Sequence, residues 1–301
     1  MLVQSYSHGA STKPLIGETL GANFDAAVKK WGARDALIVR HQNIRWSYLE
    51  LQEKVNAFAA GLLNLGLEPG DRVGIWSPNN SEWVVVQYAT AKAGLILVNI
   101  NPAYRVAELE YAINKVGCKA LILASSFKSS DYVAMVGELA PEISKSTPGN
   151  ISCGRLPSLK TVIQIGGKTN DGYFDFGQIP GLASDKDFER LKVLSDELQF
   201  DDPINIQFTS GTTGFPKGAT LTHFNVLNNG YFTGEGLKFT SSDKLCVPVP
   251  LYHCFGMVLS DVAALTHGAA LVYPAEAFDP LTVLETVEAE RCTALHGVPT
   301  M

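Results

Sequence analysis

The stretch 69–100, PGDRVGIWSPNNSEWVVVQYATAKAGLILVNI, decides the fold class. A Pro-Gly-Asp turn leads into the apolar run Val73–Trp76, which the pattern predicts to be a buried strand. After Pro78 the spacing predicts a helix from Ser81 to Lys92, and the apolar run Leu95–Ile100 is typical of a second strand. A strand, a helix and a second strand in this order predict parallel pairing, with the helix packed across the sheet.

The same alternation continues on both sides of this stretch. Upstream, Ser47 and Glu50 form a capping-box signature, and the apolar residues after them recur at helical spacing up to Gly66. Downstream, Arg105–Val116 is predicted to be a helix and Lys119–Leu123 the next strand.

Two segments interrupt the alternation. Ser144–Gly154 and Gly166–Asp187 are rich in Gly, Ser, Pro and Asp, and we predict that both are surface loops. Because the predicted strands are almost continuously apolar, the sheet should be covered on both faces. We therefore predict an α/β fold with layered, mainly parallel sheets flanked by helices.

Composition excludes several classes of protein. The 301 residues are 46% hydrophobic and 18% charged, which is typical of a folded enzyme. The net charge of −6 argues against nucleic acid as a partner, since there is no basic surplus to neutralise phosphates. The five cysteines include no CxxC pair and no zinc-ligand spacing, so we expect reduced thiols and no metal site built from them.

No membrane-spanning segment is predicted. The apolar run Ala93–Ile100 is far shorter than the ~20 residues that a spanning helix needs. The longer run Val258–Tyr273 contains Asp261 and His267. The first residues, MLVQSYSHGASTK, show neither the apolar core of a secretory signal nor the arginine-rich character of a transit peptide.

One polar segment carries the chemistry of the sequence. It follows the strand-like run Ile204–Phe208 and precedes the apolar stretch Ala219–Leu221. Its glycines allow close backbone approach, its hydroxyls supply donors and its lysine supplies a positive charge, so the segment suits a polyphosphate. The candidate phosphate-binding residues are Thr209, Ser210, Gly211, Thr212, Thr213, Gly214, Phe215, Pro216 and Lys217.

Neither of the two glycine-rich segments that contain a lysine fits a Walker A loop. A Walker A loop requires glycine directly before the lysine, and Pro216 stands there instead. A second candidate, Gly166–Thr169, has Val162 where the first glycine belongs, so we predict a simple turn. A flexible polar linker remains the plain alternative for the segment that ends at Lys217.

TSGTTGFPKG resembles the phosphate-loop signature of the adenylate-forming superfamily, which includes acyl-CoA synthetases, luciferases and peptide-synthetase adenylation domains. Pro250–Gly256, PLYHCFG, resembles a second motif of the same superfamily. The stretches NPAY, ELEY and VGCKALI are similar to the medium-chain acyl-CoA synthetase branch. The resemblance implies the first part of the large N-terminal domain of adenylate-forming enzymes, and it extends from about Gly21 to Met301.

The resemblance implies a two-step reaction. A fatty-acid carboxylate attacks the α-phosphate of ATP to give an acyl-adenylate and pyrophosphate, and the thiol of coenzyme A then displaces AMP. Mg²⁺ would share the stabilisation of the phosphate charge. By matching position, Lys217 and the residues before it would hold the β- and γ-phosphates.

His253 is the second predicted catalytic residue, beside Lys217. The resemblance places it next to the carboxylate and the α-phosphate, where an imidazole could donate to either group. A core histidine satisfied by backbone groups is the alternative. His223 is expected to pack near a helix start after Thr222, and Cys254 is not expected to be a catalytic thiol. The segment His296–Thr300 resembles the start of an acyl-pocket wall.

Members of the superfamily continue for several hundred residues beyond the position that matches Met301. We therefore expect residues 1–301 to be an incomplete AMP-binding domain without the mobile C-terminal domain. Such a fragment should turn over poorly and expose apolar surface. The alternatives are a non-catalytic nucleotide- or acyl-binding form and an adenylating enzyme with an acceptor other than coenzyme A. The resemblance favours the mitochondrial matrix, with the cytoplasm as the alternative.

Overall fold

The structure, a computed structural model, describes residues 12–209 and 215–301. Its helices alternate with strands along most of the chain, as the sequence predicts. The α-helices are α1 Leu20–Trp31, α2 Tyr48–Asn64, α3 Ser81–Lys92, α4 Val106–Val116, α5 Tyr132–Leu139, α6 Ile179–Leu182, α7 Asp185–Glu197, α8 His223–Leu237, α9 Cys254–Gly256, α10 Ala263–Leu265 and α11 Pro280–Glu290.

The strands are short and mostly buried. They are β1 Asp35–Val39, β2 Ile44–Ser47, β3 Arg72–Trp76, β4 Ile96–Asn99, β5 Cys118–Ala124, β6 Ser126–Phe127, β7 Ser130–Asp131, β8 Thr161–Ile165, β9 Phe174–Asp175, β10 Pro203–Phe208, β11 Gly218–Thr222, β12 Lys244–Cys246, β13 Ala270–Tyr273 and β14 Ala294–Leu295. A π-helix at Met257–Val262 joins α9 to α10, and short 3₁₀ helices occupy Arg40–Gln42, Pro141–Lys145 and Phe176–Gln178.

The strands form two mainly parallel sheets and one small hairpin. The seven-stranded sheet has the order β11-β10-β4-β3-β5-β8-β9, and only its β10–β11 pair is antiparallel. The five-stranded sheet has the order β14-β12-β13-β1-β2, and only its β1–β2 pair is antiparallel. The hairpin consists of β6 and β7. The predicted α/β fold with layered, mainly parallel sheets is confirmed.

The stretch that decides the fold class behaves as predicted. β3 and β4 pair in parallel, with Val73 opposite Leu97, and α3 spans the predicted residues. Nearly every residue of α3 is buried, and its side chains belong to a core that includes residues from both large sheets. A helix that is covered on all sides needs no polar face, which explains its run of valines and alanines.

The helix ends also follow the sequence signals. Ser47 caps α2: its hydroxyl accepts from the Glu50 N–H at 3.2 Å, and the Glu50 carboxylate accepts from the Ser47 N–H at 2.7 Å. Gly66 and Gly117 follow α2 and α4 with positive φ values of 78° and 64°. Such a conformation favours glycine, so both residues end a helix as predicted.

The prediction of a loop at Gly166–Asp187 is wrong in part. The turn at Gly166 is present, but the segment then contains β9, a 3₁₀ turn, α6 and the start of α7. Ile179 is buried, and its carbonyl oxygen would lie 2.2 Å from a Cβ placed on Gly61 of α2. This close tertiary contact stabilises a helix of four residues that has too few residues to show a periodic pattern.

Other parts of the chain differ from the prediction to a smaller extent. In the predicted loop Ser144–Gly154, the first two residues belong to a 3₁₀ turn that begins at Pro141. The alternating sequence pattern predicts elements only from Ser47 onward, so it does not predict α1, β1 and β2. Of the described helices, none is long and apolar enough to cross a membrane.

The apolar run Val258–Tyr273 forms helical turns and β13 in the core rather than a membrane span. The five cysteines are free thiols. Exposed apolar surface is present on α11, β14 and the residues that follow, and β14 is an edge strand. Its large exposed side chains are Leu281, Leu284, Leu295, Val298 and Met301.

Candidate functional site

The first part of the site is a hairpin that we call the phosphate hairpin, made of β10, the segment 209–217 and β11. Its neck is closed by Thr209 and Lys217. The Thr209 N–H donates to the Lys217 carbonyl at 2.9 Å, and the Lys217 N–H donates to the Thr209 hydroxyl at 3.2 Å. The antiparallel pairing of Phe208 with Gly218 continues this closure into the strands.

Part of the predicted phosphate loop lies outside the described residues. This applies to Ser210, Gly211, Thr212, Thr213 and Gly214, whose predicted roles as phosphate donors stay predictions. The residues on either side are described.

Two aromatic side chains hold the described end of the loop against α4. The ring of Phe215, which is 78% exposed, stacks on Tyr111 with 5.0 Å between the ring centroids. The Tyr111 hydroxyl donates to the Pro216 carbonyl at 3.0 Å. Lys217 follows directly and is exposed, and its ammonium makes no ion pair with any residue in 12–209 or 215–301. A lysine held by its backbone, with an unpaired charge, is suited to receive an anion.

The second part of the site is the segment Pro248–His253, which we call the histidine loop and which connects β12 to α9. His253 is the N-cap of α9, and its Nδ1 accepts from the Phe255 N–H at 3.1 Å. Because Nδ1 accepts this bond, a neutral imidazole carries its proton on Nε2. The cap therefore leaves Nε2–H as the donor available to a ligand. His253 is exposed, so the alternative of a buried core histidine is wrong.

A cleft of about 590 Å³ brings the two parts together. It lies where the parallel strands β4 and β10 end, which is the edge at which open α/β sheets bind ligands. Thr209 and Pro216 of the phosphate hairpin and His253 of the histidine loop all line it. Its other lining residues are Asn99, Asn101, Tyr104, Gln207, Phe208, Ala219, Leu221, Tyr252 and Cys254.

The cleft offers hydrogen-bond donors and apolar surface rather than acidic groups. Partial burial raises the pKa of both Tyr104 and Tyr252, so these phenols stay protonated at neutral pH. A second cavity, of about 460 Å³, shares Asn101 and Tyr252 with the cleft. Within 12–209 and 215–301, no group of three or more His, Cys, Asp or Glu side chains could hold a metal ion.

Two further residues that the sequence analysis discussed are His223, which does not line the cleft, and Cys254, which does. His223 is buried at the start of α8, with Thr222 as the N-cap, and its Nδ1 accepts from the Leu20 N–H at 3.0 Å. Burial lowers its pKa to about 4. Cys254 lines the cleft, and its Sγ lies 3.6 Å from Nδ1 of His253. The same Nδ1 accepts a hydrogen bond from the Phe255 N–H.

The predicted pocket-wall segment that begins at His296 contacts the helix behind the histidine loop. The Ser260 hydroxyl donates to the Phe255 carbonyl at 2.8 Å, so Nδ1–H of His296 donates to the Ser260 oxygen at 2.7 Å. Burial lowers the pKa of His296. Its ring also lies 5.2 Å from that of Phe255.

Sequence reasoning missed three residues that support the site. Tyr111 lies in the quoted stretch ELEY, but nothing in that stretch connects it to Pro216, 105 residues away. Asn79 and Asn99 are each 2% exposed and contact the histidine loop. Asparagine next to a predicted strand was a detectable signal, since a polar side chain placed there must find a partner.

A family model described as AMP-binding enzyme matches residues 24–301. The medium-chain acyl-CoA ligase ACSF2, mitochondrial, of Danio rerio is 44% identical over 302 aligned positions, which cover 100% of this chain and 50% of the relative. The putative acyl-CoA synthetase YngI of Bacillus subtilis (strain 168) is 43% identical over 287, covering 95% of this chain and 52% of the relative. The chain thus spans about half the length of these curated relatives.

A solved structure has the same fold. The crystal structure of the anthranilate CoA ligase AuaEII in complex with anthranoyl-AMP superposes with a TM-score of 0.80 at 21% sequence identity. The match covers 96% of this chain and 51% of that one.

Proposed function

We propose that the chain, which belongs to the AMP-binding enzyme family, activates a fatty acid with ATP and serves the acyl-CoA synthetase reaction. The observation that carries the proposal is the cleft that Thr209 and Pro216 of the phosphate hairpin line together with His253. A polyphosphate held at Lys217 would extend from the hairpin into this cleft. The α-phosphate would then lie within reach of an acid bound near His253.

In the first step, a carboxylate oxygen of the acid forms a bond to the α-phosphorus. The bond between that phosphorus and the bridging oxygen breaks, and pyrophosphate leaves with the electron pair. Negative charge accumulates on the phosphate oxygens, so donors fixed in advance lower the barrier most. In our proposal Lys217 neutralises the departing pyrophosphate, and Nε2–H of His253 donates to an oxygen at the reacting centre.

The magnesium ion would enter with the nucleotide. Mg²⁺ usually binds through one or two carboxylates together with the phosphates of the substrate, and it keeps several waters. The hydroxyl-rich phosphate hairpin and the absence of an acidic cluster in the described ranges fit a metal brought by ATP. When bound, the ion would supply positive charge to the β- and γ-phosphates beside Lys217.

In the second step the sulfur of coenzyme A attacks the acyl carbonyl, and AMP leaves. The thiol must reach the carbonyl without crossing the bound nucleotide. The cavity of about 460 Å³ that shares Asn101 and Tyr252 with the cleft provides room for such an approach. A carrier protein is the alternative acceptor.

The substrate and the compartment are proposed from the relatives. We propose a medium-chain fatty acid and the mitochondrial matrix because the name of the relative from Danio rerio contains the words medium-chain acyl-CoA ligase and mitochondrial. The name of the Bacillus subtilis relative, which is 43% identical, states no chain length. Because this relative is bacterial, the cytoplasm is the alternative compartment.

The test is exchange between ATP and labelled pyrophosphate that depends on an added acid, with acids from acetate to palmitate. The parent chain is compared with Lys217→Ala and with Lys168→Ala. Lys168 is a matched control because it is an exposed lysine after two glycines, in the turn that fails the phosphate-loop pattern. We expect exchange in the parent and in Lys168→Ala, with a loss of about 10²–10³-fold in Lys217→Ala. Equal exchange in all three folded proteins would contradict the assignment of the phosphate hairpin.

A further inference from the structure

The buried side chain of Asn79 binds the backbone of the histidine loop through two hydrogen bonds. Asn79 follows β3, and its amide faces two backbone groups of the loop. The Asn79 Nδ2 donates to the Val249 carbonyl at 2.9 Å, and the Asn79 Oδ1 accepts from the Leu251 N–H at 2.9 Å. With 2% exposure, this amide has both its donor and its acceptor function satisfied by the loop.

A second buried asparagine holds the next residue of the loop. Asn99, at the end of β4, donates from Nδ2 to the Tyr252 carbonyl at 3.0 Å. Its Oδ1 accepts from Nδ2 of Asn205 at 2.8 Å. Asn205 is fully buried on β10, and its Nδ2 also donates to the Leu97 carbonyl at 2.9 Å.

The direction of this hydrogen-bond chain is fixed by its two ends. The Tyr252 and Leu97 carbonyls can only accept, so each must face the nitrogen of an amide. Turning over the amide of Asn99 would place its oxygen against the Tyr252 carbonyl and its nitrogen against that of Asn205. In the arrangement present, each bond of the chain therefore runs from an amide nitrogen to an oxygen, whereas the turned-over amide would place like groups against each other. The Oδ1 of Asn205 has no hydrogen-bond partner among the described residues.

The chain joins the two parts of the site. Asn205 belongs to the strand that leads into the phosphate hairpin, four residues before Thr209. Tyr252 is the residue directly before His253. The side chain of His253 is exposed and bonded to its own helix end, so its position depends on the backbone that Asn79 and Asn99 hold.

We propose that Asn79 and Asn99 are positioning residues that set where His253 lies in the cleft. The inference rests on the proposed function and extends it to two residues that bond to the backbone of the histidine loop, of which Asn99 also lines the cleft. If the clamp is lost, the loop can shift, and a misplacement of about 1 Å at a reacting group costs up to about 10²-fold in rate. Neither side chain bonds to the neck at Thr209 and Lys217, and the one bond from Asn99 to the hairpin is at Asn205, four residues before Thr209, so nucleotide binding should persist.

The test compares Asn79→Leu and Asn99→Leu with a matched control, Asn228→Leu. Asn228 is also a buried asparagine whose amide clamps a backbone segment: its Oδ1 accepts from the Ile16 N–H at 2.7 Å, and its Nδ2 donates to the Ile16 carbonyl at 3.0 Å. It does not line the cleft. The three substitutions therefore remove similar bonds, and only two of them concern the histidine loop.

Two readouts are used. In pyrophosphate exchange, we expect kcat to fall by about ten-fold or more in both loop variants, with KM for ATP within about two-fold of the parent. In amide hydrogen exchange, protection of the Leu251 N–H should fall by about ten-fold in Asn79→Leu, and the NMR resonances of the His253 ring should move in both variants. Asn228→Leu should change neither.

The outcomes separate this inference from the proposed function. If the parent shows no exchange, the proposed function fails, and the positioning of His253 is judged from the Leu251 amide and the His253 resonances alone. If the loop variants match Asn228→Leu in both readouts, or raise KM for ATP without lowering kcat, the positioning role is overturned. If a leucine variant does not fold, the isosteric N79D and N99D, each of which replaces only the donating nitrogen, are measured in its place for kcat, KM for ATP and the His253 resonances. The Leu251 N–H keeps its acceptor in N79D, so its protection is not expected to fall there.

Discussion

The phosphate hairpin and the histidine loop line one cleft, and they are built in different ways. In the hairpin, the described residues Phe215 and Lys217 are exposed, and the neck is closed by bonds between its own two ends. In the histidine loop, most of the residues before His253 are buried, and amides from another sheet hold the backbone.

The difference explains how much of each part can be recognised from sequence. The chemistry of the hairpin lies in its own glycines, hydroxyls and lysine, which stand next to one another in the chain. The position of His253 depends on Asn79 and Asn99, which are more than 150 residues away. A local motif indicates each part, but the support of the second part is completed only when the two sheets pack. Substitutions at four further positions test this contrast.

The largest effect is expected at His253 itself, where capping and catalysis can be separated. His253→Ala removes the cap and the imidazole. His253→Asn restores an acceptor for the Phe255 N–H, because asparagine is among the preferred N-cap residues. We expect pyrophosphate exchange to fall by about 10²-fold in both variants, while only His253→Ala loses about 1 kcal/mol of unfolding free energy. Full exchange in His253→Asn would leave the histidine with a capping role only.

The second effect concerns His223, where the phosphate hairpin leads into α8. Its pKa is lowered to about 4 by burial, so the folded state binds fewer protons than the unfolded state between pH 4 and 6.5. The stability from this residue is complete above pH 6.5 and is lost as pH falls toward 4, by about 2 kcal/mol. Urea melts at pH 7 and 4.5 measure this loss.

His223→Asn is the control for that pH dependence. The shorter amide keeps an acceptor for the Leu20 N–H but does not titrate. The variant should therefore lose less stability than the parent between the two pH values. An identical loss would assign the pH dependence to other groups.

The third effect lies behind the histidine loop, at Asp261 in the π-helix. This carboxyl is 1% exposed, its Oδ1 has no hydrogen-bond partner among the described residues, and burial raises its pKa. The folded state therefore favours the protonated form, and stability falls as pH rises above the unfolded pKa of ~3.9. Asp261→Asn should raise the unfolding free energy by about 1–2 kcal/mol at pH 7.

That gain should shrink toward zero at pH 3.5, where the acid is protonated in both states. Guanidinium melts of both proteins at the two pH values measure it. A gain of the same size at both pH values would point to packing rather than to the charge of Asp261.

The smallest effect is expected for Tyr111→Phe at the hairpin. The ring that stacks on Phe215 is kept, and only the hydroxyl bond to the Pro216 carbonyl is removed. One neutral hydrogen bond contributes about 1 kcal/mol, so KM for ATP should rise by about five-fold while kcat stays near the parent value. Thermal melts of the same samples check that the fold is unchanged. A fall in kcat with constant KM would place Tyr111 nearer to the reacting centre than the structure does.

Much of the fold could be predicted because single segments carry strong signals. The strand–helix–strand unit from Val73, the cap at Ser47 and the glycine ends of α2 and α4 follow from local sequence. The short helix α6 could not be predicted, since four residues show no periodicity and the contact with Gly61 stabilises it.

The sequence by itself determined the α/β class, and its motifs predicted a phosphate-binding segment that ends at Lys217 and a histidine, His253, at the same site. Each is encoded by residues close together in the chain, where backbone preferences and side-chain chemistry act locally. Only the tertiary structure decided that Tyr111 supports the hairpin and that Asn79 and Asn99 hold the histidine loop. A buried amide must satisfy its donor and its acceptor, and the partners that satisfy it are brought near only by the packing of the two sheets.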